Sequence, residues 1–460
     1  MSIRTRKPRL VAAVAVTAVA GLLAGACSDD KESAETSAPA SSEAPASSEA
    51  PASSEAPAST EAPAGTNLST ILGWDNSLSG VQCKFGSVLA LTGSGAFYGK
   101  TMSRAIDLAI EVIAESGGPQ FSVKYWDHQS GLPEPGVKAM KEMVAEGISV
   151  KLASYVDDLG AMLGDTAANK VFTLDGGGGT SIFGQGVPYF WGTRAITPND
   201  TLPGVFEWFK QTNPGKTKVG LLGWELGALN DIIKQDVLAK IEAAGLEFNG
   251  LYELAAVGNT DFAQSITKIK ANEPDLLIVS IYGQDPGSFL NQAATAGIKA
   301  LMVGSEFTPD GVNASKGTYD SAGWTFAYDY FNPDAADLNP LGKYFVEKFR
   351  AKYDGESPDF YAANFFENTV RLWELMAEAK AAGATDDKLC VGETLNAAME
   401  KDPTLVSVYG GTATEVGTST HDLKTHSVSK RPMGVFTYKN KTVTPLAYFG
   451  IGGEGFTLVS

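Results

Sequence analysis

Residues 85–99 read Phe85-Gly-Ser-Val-Leu-Ala-Leu-Thr-Gly-Ser-Gly-Ala-Phe-Tyr-Gly99. Residues 85–91 are β-favouring or small and apolar, and a Thr-Gly-Ser-Gly turn follows them. Beyond the turn, Ile106, Ala109, Ile110 and Ile113 recur at helical spacing within 102–114. A strand that runs through glycines straight into a helix is the opening unit of a layered α/β fold. The glycines also invite a dinucleotide reading, but the interval from Gly95 to Gly99 is one residue too long for G-x-G-x-x-G. No G-x-S-x-G elbow and no phosphate-binding G-x-x-x-x-G-K-[ST] occurs elsewhere. The three histidines, His128, His421 and His426, do not pair with Cys or acids at metal-ligand spacing. No catalytic constellation, metal or cofactor is therefore expected, and Asp127-His128 reads as the end of a strand at a cleft rim.

Working downstream, strands are expected at 121–126, 150–155 and 171–174, with a helix over 137–145 whose Val137, Met140 and Val144 share one face. After Asn199-Asp200 the alternation restarts. Strands 219–222, 251–254, 276–281, 301–304 and 324–330 are separated by helices 231–244, 262–271 and 289–296. Long helices at 342–353 and 361–382 then read as a return to the first unit. Segments 435–438 and 443–449 close the chain as a hairpin turning at Lys439-Asn440-Lys441. The organisation expected is a discontinuous first lobe (83–199 and 332–430), a second lobe (200–331) and a closing hairpin and tail (431–460).

Upstream, Arg4, Arg6, Lys7 and Arg9 precede an apolar run over 10–24 and then Gly25-Ala26-Cys27, the pattern of an export signal occupying residues 1–26. Leu22-Leu23-Ala24-Gly25-Ala26-Cys27 looks like a lipoprotein cleavage box, with Ala24 where an aliphatic residue is commoner. Cys27 would then carry a lipid; the other reading is an ordinary secretory signal with an incidental cysteine. Residues 28–64 contain no aromatic or branched aliphatic residue, and Ser-Ser-Glu-Ala-Pro-Ala repeats from Ser41, so 27–64 reads as a tether that cannot form a core. Such a tether spans on the order of 35 Å as a coil and up to about 110 Å as extended polyproline. The net charge of -17 disfavours a nucleic-acid or anionic-lipid surface, since nothing supplies the clustered Lys and Arg it needs. Cys83 and Cys390 remain as an even pair in an oxidising compartment, either bridged or as two free thiols.

The opening stretch resembles that of the leucine/isoleucine/valine-binding protein family, whose fold is the type I periplasmic binding fold. Later landmarks agree in order: Pro188-Tyr-Phe-Trp-Gly-Thr-Arg194, Thr217-Lys-Val-Gly-Leu-Leu222, Asn259-Thr-Asp-Phe-Ala263, Pro274-Asp-Leu-Leu-Ile-Val279, Gly297-Ile298 with Leu301-Met-Val-Gly304, and Phe360-Tyr361-Ala362. The resemblance covers about residues 83 to 450 and implies two Rossmann-like lobes with mostly parallel sheets, joined by a multi-strand hinge. It also implies a ligand site. Tyr282 and Glu306 match the tyrosine and acid that meet a ligand ammonium; otherwise they are a core aromatic and a solvated loop acid. Tyr98 falls where an aromatic packs on the ligand side chain, or packs a turn. The first lobe departs from the family's carboxylate-holding hydroxyls. Ala153-Ser-Tyr-Val-Asp-Asp158 replaces Gly-x-x-x-Ser and puts Asp157 near the ligand, unless it or Asp158 caps the next helix. Gly177 and Gly178, in Leu174-Asp-Gly-Gly-Gly-Gly-Thr180, can offer bare backbone N–H groups, or form a turn with no ligand contact.

The function this implies is an extracytoplasmic solute-binding lipoprotein of a branched-chain-amino-acid-type ABC importer. It would sit on the outer face of the cell membrane, with a small polar ligand (an amino acid, amide or amine) and membrane permease subunits as partners. A ligand-sensing receptor domain and a cell-surface hydrolase are the alternatives.

Overall fold

The computed structural model describes residues 67–459 apart from 94, 155, 178–181, 183 and 196–197, and only the backbone of 156–159. The signal segment, Cys27, the tether and Gly178 lie outside the described residues.

The quoted stretch forms β1 (Gln82–Leu89) and the start of the Ala96–Glu115 helix. Asp127, ending β2 (Gln120–Asp127), pins the link by accepting from the N–H groups of Leu91 (2.9 Å) and Thr92 (3.2 Å). Gly99 serves the close approach of helix to strand. A Cβ there would lie 2.0 Å from the Ala90 carbonyl oxygen, so the third glycine is a packing residue.

With β3 (Val150–Ala153), β4 (Phe172–Asp175) and β5 (Phe190–Gly192), β1 and β2 make a wholly parallel sheet of order β2-β1-β3-β4-β5. The second lobe is built on β6 (Lys218–Trp224), β7 (Glu247–Ala255), β8 (Leu276–Ser280), β9 (Leu301–Gly304) and β10 (Trp324–Asp329), also parallel to one another. A two-stranded ribbon, β11 (Thr404–Ser407) with β12 (Gly417–Thr420), went unforeseen.

The closing segment is not a separate appendage. β13 (Pro432–Lys439) pairs antiparallel with β10, β14 (Thr442–Gly450) with β13, and β15 (Thr457–Leu458) with β14, giving the second sheet the order β15-β14-β13-β10-β9-β8-β6-β7. Asn440 and Lys441, both at positive φ, make the two-residue turn whose twist matches the flanking strands.

One core joins Phe85, Ile106 and Phe172 to Phe345, Phe366 and Trp373, so the Pro340–Lys352 and Phe360–Ala381 helices pack on the first sheet. Two further cores lie around the second sheet, one containing Phe206, Leu276 and Val435, the other Phe262, Val279 and Trp324. Cys83 of β1 and Cys390 are disulfide-bonded with their Cα atoms 5.2 Å apart.

Where chain segments cross between the lobes, buried charges lock together. Arg431 donates through Nε to Asp329 (2.8 Å) and through Nη1 to Glu367 (2.9 Å) and the Thr193 carbonyl (3.0 Å). Arg371 adds an ion pair to Glu367 at 3.2 Å.

Candidate functional site

In an open parallel sheet, ligands bind beyond the carboxyl ends of the strands. The residues of interest gather there. Tyr98 follows β1, Gly177 follows β4, Arg194 follows β5, Trp224 ends β6, Tyr282 follows β8 and Glu306 follows β9. Between the lobes lies a cleft of about 1390 Å³, counted with its open mouth, lined by Tyr98, Gly177, Arg194, Trp224 and Tyr282 among others.

Glu306 does not line that cleft. Its side chain is 1% exposed, and three donors converge on it. Tyr98 donates its hydroxyl to Oε1 (2.6 Å), the Gly283 N–H reaches the same oxygen (2.5 Å), and Tyr361 donates to Oε2 (2.8 Å). Gly283 N–H also lies 2.9 Å from the Tyr98 hydroxyl oxygen. Burial pushes the Glu306 pKa upward, opposed by these hydrogen bonds and by the field of Arg194. Tyr98 and Tyr361 belong to helices packed on the first sheet, and Glu306 and Gly283 to loops of the second, so the carboxylate joins the lobes. Gly304 makes room for this arrangement. A Cβ on it would stand 2.0 Å from the Trp324 ring, whose Nε1 donates to the Glu306 carbonyl (3.0 Å). The acid expected at a ligand ammonium is thus neither at the cleft wall nor solvated.

Tyr282 lines the cleft, edge-on to Trp224 with ring centroids 5.1 Å apart, and burial raises its phenol pKa. Gly177 lines it too, but its N–H donates to Asp175 Oδ1 (2.7 Å), and the Gly176 N–H donates to the Ala153 carbonyl (2.8 Å). These two N–H groups are spent inside the first lobe. Asp157 and Asp158 fall in the first turn of the Val156–Ala168 helix, inside it and not at the capping position before it.

The residue missed by sequence reasoning is Arg194, the last of the quoted Pro188–Arg194 landmark. The residue is 7% exposed, and its guanidinium lies 4.7 Å from the Phe360 ring centroid and 5.0 Å from that of Tyr361. Its Nε is 3.4 Å from Asp329 Oδ1, an ion pair without hydrogen-bond geometry. Its place two residues beyond a strand's carboxyl end was the available signal.

The family model described as "Periplasmic binding protein" matches residues 82–440. The chain belongs to this family. Within it, this binding protein is 24% identical over 319 residues to "Leu/Ile/Val-binding protein homolog 3" of Brucella melitensis, covering 68% of this chain and 82% of the relative. Among solved structures, a solute-binding protein of an ABC transporter from R. palustris in complex with benzoate superposes with a TM-score of 0.64 at 20% identity, covering 82% of this chain and 98% of that one. The branched-chain amino acid transporter substrate-binding protein LivJ from Streptococcus pneumoniae, in complex with isoleucine, gives 0.57 at 19%, covering 79% and 99%. The fold is the type I periplasmic binding fold. Among the described residues no helix is long and apolar enough to cross a membrane.

Proposed function

We propose that this chain is the solute-binding lipoprotein of an ABC importer, tethered to the outer face of the membrane through Cys27 and delivering a small organic solute to its permease. One observation carries the reading. The cleft lies at the carboxyl ends of strands from both lobes, where a solute touching both stabilises their closure by its differential affinity for the closed state. The structural neighbours' ligands, isoleucine and benzoate, name two solute classes. Both bear a carboxylate, and only the amino acid adds an ammonium.

A melting-shift screen of the purified protein against amino acids, amides, amines and aromatic acids tests capture: at least one class raises the melting temperature in a dose-dependent way. No shift across the panel contradicts it. Anchoring is tested separately with Cys27→Ala, expected to move the protein from the membrane fraction to the soluble one. Unaltered membrane association of that variant would remove the lipid anchor from the account.

A further inference from the structure

Among the described residues lining the cleft, two carry charge, Arg194 and Asp285. Asp285 is already held: its Oδ2 accepts from Trp224 Nε1 (2.8 Å) and from the Gly258 N–H (3.0 Å). Arg194 is not. Its Nε and Nη2 are buried without a hydrogen-bond partner among the described residues. The nearest acid, Asp329, gives its other oxygen to Arg431 Nε at 2.8 Å. Buried donors left unmade cost free energy, and a fold retains them where something else completes them. A planar guanidinium matches a carboxylate with two parallel hydrogen bonds, and burial strengthens that match. The rest of the cleft is largely apolar. Leu222, Ile233, Val237, Tyr252 and Val257 of the second lobe line it, with Trp224 and Tyr282 as aromatic walls. At the family's ammonium position, both oxygens of Glu306 accept from protein donors, and the residue is not part of the cleft lining.

We propose that Arg194 binds the ligand's carboxylate, and that the ligand is an organic acid with an apolar, aryl-sized body and no ammonium group. The inference rests on the reading of the cleft as a solute site and selects between the two classes that reading leaves.

Four probes sharing one skeleton separate the groups: hydrocinnamate carries the carboxylate alone, hydrocinnamamide neither charge, L-phenylalanine both, and phenethylamine the ammonium alone. By isothermal titration, hydrocinnamate binds the wild-type protein at least about tenfold more tightly than the other three, the value of one charged hydrogen bond. Arg194→Gln lowers hydrocinnamate affinity roughly 10- to 100-fold and erases the preference for acid over amide, and Arg194→Lys recovers part of it. Should Arg194→Gln not fold, the acid-to-amide ratio of the wild type reads the same contact. Equal affinity for acid and amide, or tighter binding of L-phenylalanine or phenethylamine, overturns the proposal and leaves solute capture standing. If none of the four binds, the solutes that shift melting in the broad screen decide. Acids without ammonium support it, amines, amino acids or neutral solutes overturn it, and no shift with any solute overturns both readings.

Discussion

Glu306 follows β9 of the second lobe and Arg194 follows β5 of the first, and both are buried charged side chains beside one cleft. Their surroundings are opposite. The acid meets two tyrosine hydroxyls and a backbone N–H at 2.5 to 2.8 Å, whereas the cation has two nitrogens with no hydrogen bond among the described residues. A satisfied buried charge holds structure together; an unsatisfied one at a cleft wall is prepared for an incoming group. A residue at a family position can thus meet new neighbours, as Glu306 does in accepting from Tyr98 and Tyr361.

That contrast can be broken by substitution. Glu306→Ala strands two hydroxyls and the Gly283 N–H and releases the lobes from each other. It is expected to lower stability by about 3 kcal/mol, read from urea unfolding, and to enlarge the ligand-free radius of gyration in solution scattering. Unchanged stability would return Glu306 to the role of a solvated loop acid. The tyrosines sharpen the assignment. Tyr98→Phe removes a hydroxyl that reaches both Glu306 and the Gly283 N–H, and Tyr361→Phe removes one that reaches Glu306. Losses of about 1.5 and 1 kcal/mol are expected in that order, and the reverse order would mean that the Tyr98 link does not join the lobes. Arg194→Met, by contrast, removes Nε and Nη2 donors that make no hydrogen bond within the described protein, and although it breaks the 3.4 Å ion pair with Asp329, that acid keeps Arg431. Ligand-free stability should change by less than about 1 kcal/mol. A loss as large as that of Glu306→Ala would make Arg194 a structural member of the hinge network.

The smallest effect concerns Asp285, the cleft's other charged side chain. Burial, offset by hydrogen bonds from Trp224 and Gly258, raises its pKa from 3.8 to about 6. The folded state then keeps a proton that the unfolded chain loses first. Its contribution to stability is full below pH 3.8, falls as pH rises, and levels off above about 6. Asp285→Asn should flatten that segment of the melting-temperature profile. A profile in the variant as steep as in the wild type would assign the slope to other groups.

Much of the fold was legible in residues 85–99, because a strand ending in glycines before a helix with Ile106, Ile110 and Ile113 on one face leaves few arrangements open. The hairpin was legible as a hairpin but not as part of the second sheet. Its turn is local, whereas its pairing with Trp324–Asp329 joins segments far apart in the chain. The site was harder for the same reason. Tyr98 and Glu306 meet across 208 positions, and no local pattern announces that a carboxylate is already occupied. Gly177 was legible as a bare backbone group, but Asp175, two residues before it, takes its N–H. Arg194 stood inside a quoted landmark, yet a lone arginine after a strand acquires meaning only once its unmatched nitrogens and the apolar lining of the cleft are known.

The most direct test of the account is native mass spectrometry of the protein purified without denaturation, with the retained solute released and identified. The account predicts an organic acid that carries a carboxylate on an apolar body and no basic nitrogen. An α-amino acid or another amine held in the cleft would contradict it.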